Sequence, residues 1–206
     1  YLRLDDYIGG VAPGKKADIL ILPDLVDFRP ELVISNGDIV AENGQLKAEL
    51  PEIDWSKYKA DEDFKFSKSV LEHPELYVPV QEKEKEEVPV IHFISNVITK
   101  RKDIELPAVN GYTDISGKEG LVYVSLISRQ GKWISKGIME RFAVDLDGMA
   151  STYNTTTELL VTGRKPEAMA KAAARVHELG GGIVIVDGDS IVLEIPLPLT
   201  GMMLTD

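Results

Sequence analysis

The sequence predicts an α+β fold, on three observations. Apolar residues fall into short runs cut by turn signals, Asn36-Gly37 and Asp187-Gly188 among them. The clearest helical period runs from Pro166 to Leu179. A strand, a tight turn and a second strand follow that helix directly, over 183–193.

Residues 1–50 read as short strands. Pro13-Gly14 is a turn signal, because proline pre-sets φ at one corner and glycine accepts a positive φ at the next. Ile19-Leu20-Ile21-Leu22 is a continuous apolar run, predicting a strand covered on both faces. Leu32-Val33-Ile34 and Ile39-Val40-Ala41 flank Asn36-Gly37, the strongest short hairpin signal, and Asn43-Gly44 offers another turn. Residues 51–87 are punctuated by Pro51, Pro74 and Pro79 and end in the charge run Gln81–Glu87. They read as a solvated connector anchored by Trp55, Tyr58, Phe64 and Phe66. Residues 88–206 form a second domain of mixed elements. Val88–Thr99 is β-rich, Gly120–Ile127 is a buried strand and Leu159–Val161 another. Pro166 suits a first helical turn, and Met169, Ala172, Ala173, Val176 and Leu179 line one face. Gly180 stops the helix, and Pro196 and Pro198 end the last strand pairing.

Composition narrows the function classes. With 206 residues, 44% hydrophobic and 28% charged, the chain can bury a real core. A net charge of -11 argues against a phosphate-tracking surface, which needs a basic patch, so no nucleic-acid partner is expected, and it disfavours an anionic membrane. No apolar run approaches the ~20 residues of a membrane span. With no cysteine there are no disulfides and no thiolate metal ligands, which fits a cytoplasmic protein.

Catalytic patterns are absent. The three histidines, His73, His92 and His177, form no His-x-His or His-x-x-x-His pair and read as structural or surface residues, so no metal site is expected within this chain. No Gly-x-Ser-x-Gly elbow exists. Gly180-Gly181-Gly182 closes a helix and opens a strand, the reverse of a phosphate loop. Glu140, Asp145 and Asp147 lie near Arg141 and suggest surface pairs. One polar cluster stands out. Ser151-Thr152-Tyr153-Asn154-Thr155-Thr156-Thr157-Glu158 precedes a buried strand, while Arg129 and Lys132, with Gln130 between them, follow another. Its hydroxyls and amides suit either a polar ligand or a turn closed by side-chain-to-backbone bonds. The candidate site residues are therefore Arg129, Gln130, Ser151, Asn154, Thr155, Thr156, Thr157 and Glu158, with no catalytic residue among them.

Ala12-Pro13-Gly14-Lys15-Lys16-Ala17-Asp18, followed by Val33–Val40, resembles the passage by which metal-dependent amidohydrolases leave their barrel and complete a small β-domain. Further on, Ile127-Ser128-Arg129-Gln130-Gly131-Lys132, Gly148-Met149-Ala150-Ser151, Leu179–Gly188 and Ile195–Met203 resemble bacterial adenine deaminases in order and spacing. The resemblance implies a C-terminal piece of such an enzyme, cut at both ends. Strands 1–50 of the small β-domain would be followed by the connector 51–87 and the C-terminal domain 88–206. The family's reaction is adenine plus water giving hypoxanthine plus ammonia, at manganese or iron, possibly zinc, in a (β/α)8 barrel. That barrel would be the missing partner, a purine the substrate of the whole, and a homo-oligomer is compatible. This piece would have a supporting role and no activity alone. Where family members often carry His-Asp-Ser-His-Asn and Arg-His-Gly, this chain has Asn154–Glu158 and Arg129-Gln130-Gly131, so Asn154, Thr157 and Gln130 replace histidines. That departure points to a divergent subgroup. Two alternatives stay open: another amino-heterocycle or cyclic amide substrate, and a freestanding binding module.

Overall fold

The computed structural model describes residues 3–57 and 64–204. Its contacts divide the chain into two units, Tyr1–Asp54 and Trp55–Asp206. Both are rich in strands, and the helices lie in the second, so the architecture is mixed α and β.

The first unit is a four-stranded antiparallel sheet in the order β1 (Ile19–Ile21), β2 (Leu32–Ser35), β3 (Asp38–Glu42), β4 (Gln45–Leu46). Asn36 and Gly37 turn β2 into β3 with φ of 51° and 93°, both left-handed, as this tight hairpin turn requires. The Asp18 carboxylate accepts the Asn36 N–H at 2.8 Å, and that bond, more than Lys16 or Ser35, holds its pKa below the usual range. The apolar run at β1 is not covered on both faces as its sequence predicts: Leu20 is 61% and Ile21 45% exposed. No described residue of this unit is fully buried, because its described strands form a single four-stranded layer and a lone sheet encloses no core of its own.

The second unit is organised on a nine-stranded sheet in the order β13-β12-β10-β11-β8-β9-β5-β6-β7. In chain order its strands are β5 (Lys85–Phe93), β6 (Thr99–Val109), β7 (Tyr112–Thr113), β8 (Leu121–Ile127), β9 (Ile134–Glu140), β10 (Gly148–Ser151), β11 (Leu159–Gly163), β12 (Gly182–Asp187) and β13 (Ser190–Pro196). Neighbours are antiparallel except β5 and β9, which run parallel with Val90 beside Ile138 and His92 beside Glu140. A one-turn helix α1 (Lys68–Leu71) precedes the sheet, and α2 (Pro166–Leu179) packs over β10, β11 and β12. The charge run expected to be a solvated connector instead starts β5, where Val88 and Val90 turn inward while Lys85 and Glu87 face solvent. Phe64 and Phe66 pack on the core; Tyr58 lies outside the described residues.

The core sits between α2 and the sheet. Met169, Ala172, Ala173 and Val176 of α2 meet Ala150, Val161 and Val184 from the strands beneath, all fully buried. Gly148 allows this approach, since a Cβ there would lie 2.3 Å from the Ala168 carbonyl carbon. Gly163 instead allows close passage of the backbone before β10, where a Cβ would lie 2.2 Å from the Asp147 carbonyl oxygen. Gly180 ends α2 at φ 72°, its N–H donating to the His177 carbonyl. None of the helices among the described residues is long and apolar enough to cross a membrane.

Candidate functional site

The polar loop predicted from the sequence joins β10 to β11, whose register sets Ser151 opposite Leu160. Asn154 organises it. Its Oδ1 accepts from the Thr156 N–H at 3.0 Å and the Thr156 hydroxyl at 2.6 Å, while its Nδ2 donates to the Glu158 carbonyl at 2.8 Å. Ser151 Oγ accepts the Tyr153 N–H at 3.0 Å. Thr157 takes a left-handed φ of 58° to complete the turn. These are the local bonds that serine, threonine and asparagine make in place of ladder bonds.

Arg129 is brought to this loop from the end of β8. Its N–H donates to Glu158 Oε2 at 2.5 Å. The Arg129 residue is only 5% exposed: its Nη1 donates to the Thr200 carbonyl at 2.7 Å, and its guanidinium lies 4.8 Å over the Phe64 ring. Phe64 in turn meets the His177 ring at 5.5 Å. The Arg129 carbonyl accepts the Lys65 N–H at 2.7 Å, so segment 64–66 is tied to the loop after β8. Thr152, fully buried, donates its hydroxyl to the Gly201 carbonyl at 2.7 Å and accepts the Gly182 N–H at 2.8 Å. A Cβ on Gly201 would fall 2.8 Å from that hydroxyl and 2.9 Å from the Arg129 Nη1, and one on Gly181 2.6 Å from the Gly201 Cα.

The structure therefore joins Arg129, Ser151, Asn154, Thr156 and Glu158 in one hydrogen-bonded knot with the C-terminal turn. Gln130, Thr155 and Thr157 sit on its exposed side. Thr152, Phe64 and Gly201 complete the knot and were not among the sequence-derived candidates. The hydroxyl of Thr152 was visible in the polar run, but its partners are distant in sequence. Chemically, the exposed rim offers hydrogen-bonding groups, and no hydrogen bond among the described residues links a histidine to a loop hydroxyl. Nor do the described residues hold a cluster of three or more His, Cys, Asp or Glu side chains that could bind a metal ion.

The acidic residues near Arg141 do not pair with it. Glu140 binds the Lys102 ammonium at 2.8 Å and the His92 ring, and the Lys102 bond is the main reason its pKa falls below the ordinary range. Asp147 is nearly buried. It accepts from Lys165 Nζ at 2.8 Å and the Gly188 N–H at 2.7 Å, which lower its pKa in that order.

Compared with known proteins, residues 96–206 match the model of the family described as "Adenine deaminase C-terminal domain". The chain is 31% identical to "Putative adenine deaminase YerA" of Bacillus subtilis, over 98% of this chain and 33% of that protein. It is 29% identical to "Adenine deaminase" of Staphylothermus marinus, over 98% of this chain and 34% of that protein. Against "Adenine deaminase 2" of Carboxydothermus hydrogenoformans the identity is 28%, with 98% and 35% covered. The chain thus spans about a third of the length of the curated relatives it matches.

Proposed function

The chain belongs to the adenine deaminase C-terminal domain family, and from that premise we propose that it is the supporting C-terminal portion of a metal-dependent adenine deaminase. The reaction of the whole would be hydrolytic: adenine and water give hypoxanthine and ammonia. The observation that carries the reading is the first unit. Its single sheet exposes Leu20, Ile21, Ile39 and Leu46, a surface that a second β-layer from the rest of a longer polypeptide would cover. This is the geometry expected of strands belonging to a composite amidohydrolase β-domain.

The divalent metal, manganese or iron with zinc as the alternative, would lower the pKa of its bound water and so supply hydroxide near neutral pH. The described residues do not fit such an ion, because no ligand cluster exists among them. The metal and the purine would therefore be held by the other two-thirds of the protein. What this chain would contribute is the compact second unit and the knot around Arg129 and Thr152. With Gln130, Asn154 and Thr157 in place of imidazoles, the loop offers hydrogen bonds and no titrating histidine. That same replacement favours a second reading in which the parent hydrolyses another amino-heterocycle or a cyclic amide.

The test is ammonia release from adenine, measured with manganese for this chain and for the full product of its gene. Activity is expected in the longer protein alone. A longer protein that binds manganese, leaves adenine intact and hydrolyses another heterocycle would overturn the substrate. In parallel, residues 1–54 expressed alone should give the narrow amide dispersion of an unfolded chain. A dispersed, cooperative spectrum would remove the argument from the uncovered sheet.

A further inference from the structure

The parallel pair in the large sheet creates a second candidate site, lined by none of the polar-loop residues. Because β5 and β9 run the same way, the segments leaving them emerge side by side. Ile94-Ser95-Asn96 follows β5, and Arg141-Phe142 follows β9. Together with Phe93 they line an open cavity of about 340 Å³. That volume falls near the low end of the range for small-molecule pockets.

Its chemistry is specific. The Phe93 and Phe142 rings lie 5.7 Å apart at 57°, both line the cavity, and Phe142 is 38% exposed. Arg141 holds a left-handed φ of 67°, anchored by its N–H donating to the Gly120 carbonyl at 2.9 Å. The neighbouring carboxylate, Glu140, is already occupied by Lys102 and His92. Among the described residues no hydrogen bond or ion pair engages the Arg141 guanidinium. The same cavity is therefore lined by a planar donor fork, Arg141, by the two aromatic rings, and by the hydroxyl-bearing Ser95 and the amide-bearing Asn96.

We propose that this notch binds a 6-oxopurine, stacked on Phe142 with its O6 and N7 accepting from Arg141. A guanidinium carries only donors, and O6 with N7 is the purine edge that presents two adjacent in-plane acceptors. Adenine places an amino donor where O6 would be, so donor would face donor. The notch thus distinguishes the product of deamination from its substrate and would report product level. The choice of a purine, rather than another planar heterocycle with such an edge, rests on the proposed deaminase reading.

The experiment is isothermal titration of this chain with hypoxanthine and with adenine, neither of which it should turn over. Saturable binding of hypoxanthine is expected, with adenine weaker by about tenfold or more. Arg141→Asn keeps a residue that tolerates the left-handed backbone, so it should fold and lose about tenfold in hypoxanthine affinity. Phe142→Leu should weaken both purines. Equal affinity for the two purines, hypoxanthine binding unchanged in folded Arg141→Asn, or no saturable binding would each overturn the proposal. If hypoxanthine binding fails while the longer protein deaminates adenine, this inference alone falls. If binding holds and adenine is not deaminated, the deaminase reading alone falls.

Discussion

Replacing Thr152 by valine tests whether the knot behind the polar loop holds the second unit together. The side chain is fully buried and valine has nearly its shape, so packing is conserved and only the hydroxyl is lost. Two partners are then stranded: the Gly182 N–H, 2.8 Å from the hydroxyl, and the Gly201 carbonyl, 2.7 Å from it. Each buried unsatisfied group costs about 1–3 kcal/mol, so the substitution should cost about 2–6 kcal/mol in total. In a unit of this size that lowers Tm by roughly 4–24 °C. Urea unfolding followed by tryptophan fluorescence is the assay, because the chain has two tryptophans and both, Trp55 and Trp133, lie in the second unit. The m value should be unchanged, with only the midpoint moving. Thr152→Ser keeps the hydroxyl and should cost about 1 kcal/mol or less for the missing methyl. A valine variant within about 0.5 kcal/mol of wild type, or a serine variant less stable than valine, would refute the assignment of stability to this hydroxyl.

Other consequences follow from the same packing. Gly148→Ala drives a methyl into the α2 backbone, with 2.3 Å to the Ala168 carbonyl carbon, and should cost about 3 kcal/mol or more. Gly137→Ala, whose Cβ meets only a Val124 methyl at 3.7 Å, should be near neutral in the same unfolding assay. Asp147→Asn removes the ion pair with Lys165. The folded pKa of Asp147 is lowered, so its stabilisation is present above the unfolded-state value and lost as pH falls through the folded one. The difference in urea midpoint between wild type and Asp147→Asn should therefore be largest at neutral pH and shrink below about pH 4. A gap that stays constant between pH 7 and 3 would show that the carboxylate charge contributes nothing.

Several elements were legible because their causes are local. Asn36-Gly37 can adopt two successive left-handed residues, and the hairpin forms there. Pro166, the apolar face through Leu179, and Gly180 bound α2 by rules that act within one or two turns. β6 was not read, because Thr99–Asp103 is almost wholly polar and its alternation begins only with Ile104 and Leu106. Its pairing with β5 decides it, a partner chosen by the fold. The start of β5, Lys85–Glu87, was hidden for a related reason: the half-buried Glu86 between exposed Lys85 and Glu87 put charge at both phases of the period of two.

The sequence by itself determined the turns, the helix with its caps, the acidic surface and the family to which the residues point. Each of these follows from a residue's own preferences or from neighbours a few positions away. Only the tertiary structure decided what the polar residues do. It made Arg129 a clamp on Thr200, 71 positions away, and Thr152 a partner of Gly201, 49 away. It also made Gly148 the point where a helix touches a sheet, and set β9 parallel to β5 so that Arg141 and two phenylalanines share a notch. Those outcomes depend on which segments collide once the core has closed, and side-chain type at one position does not encode its distant partner.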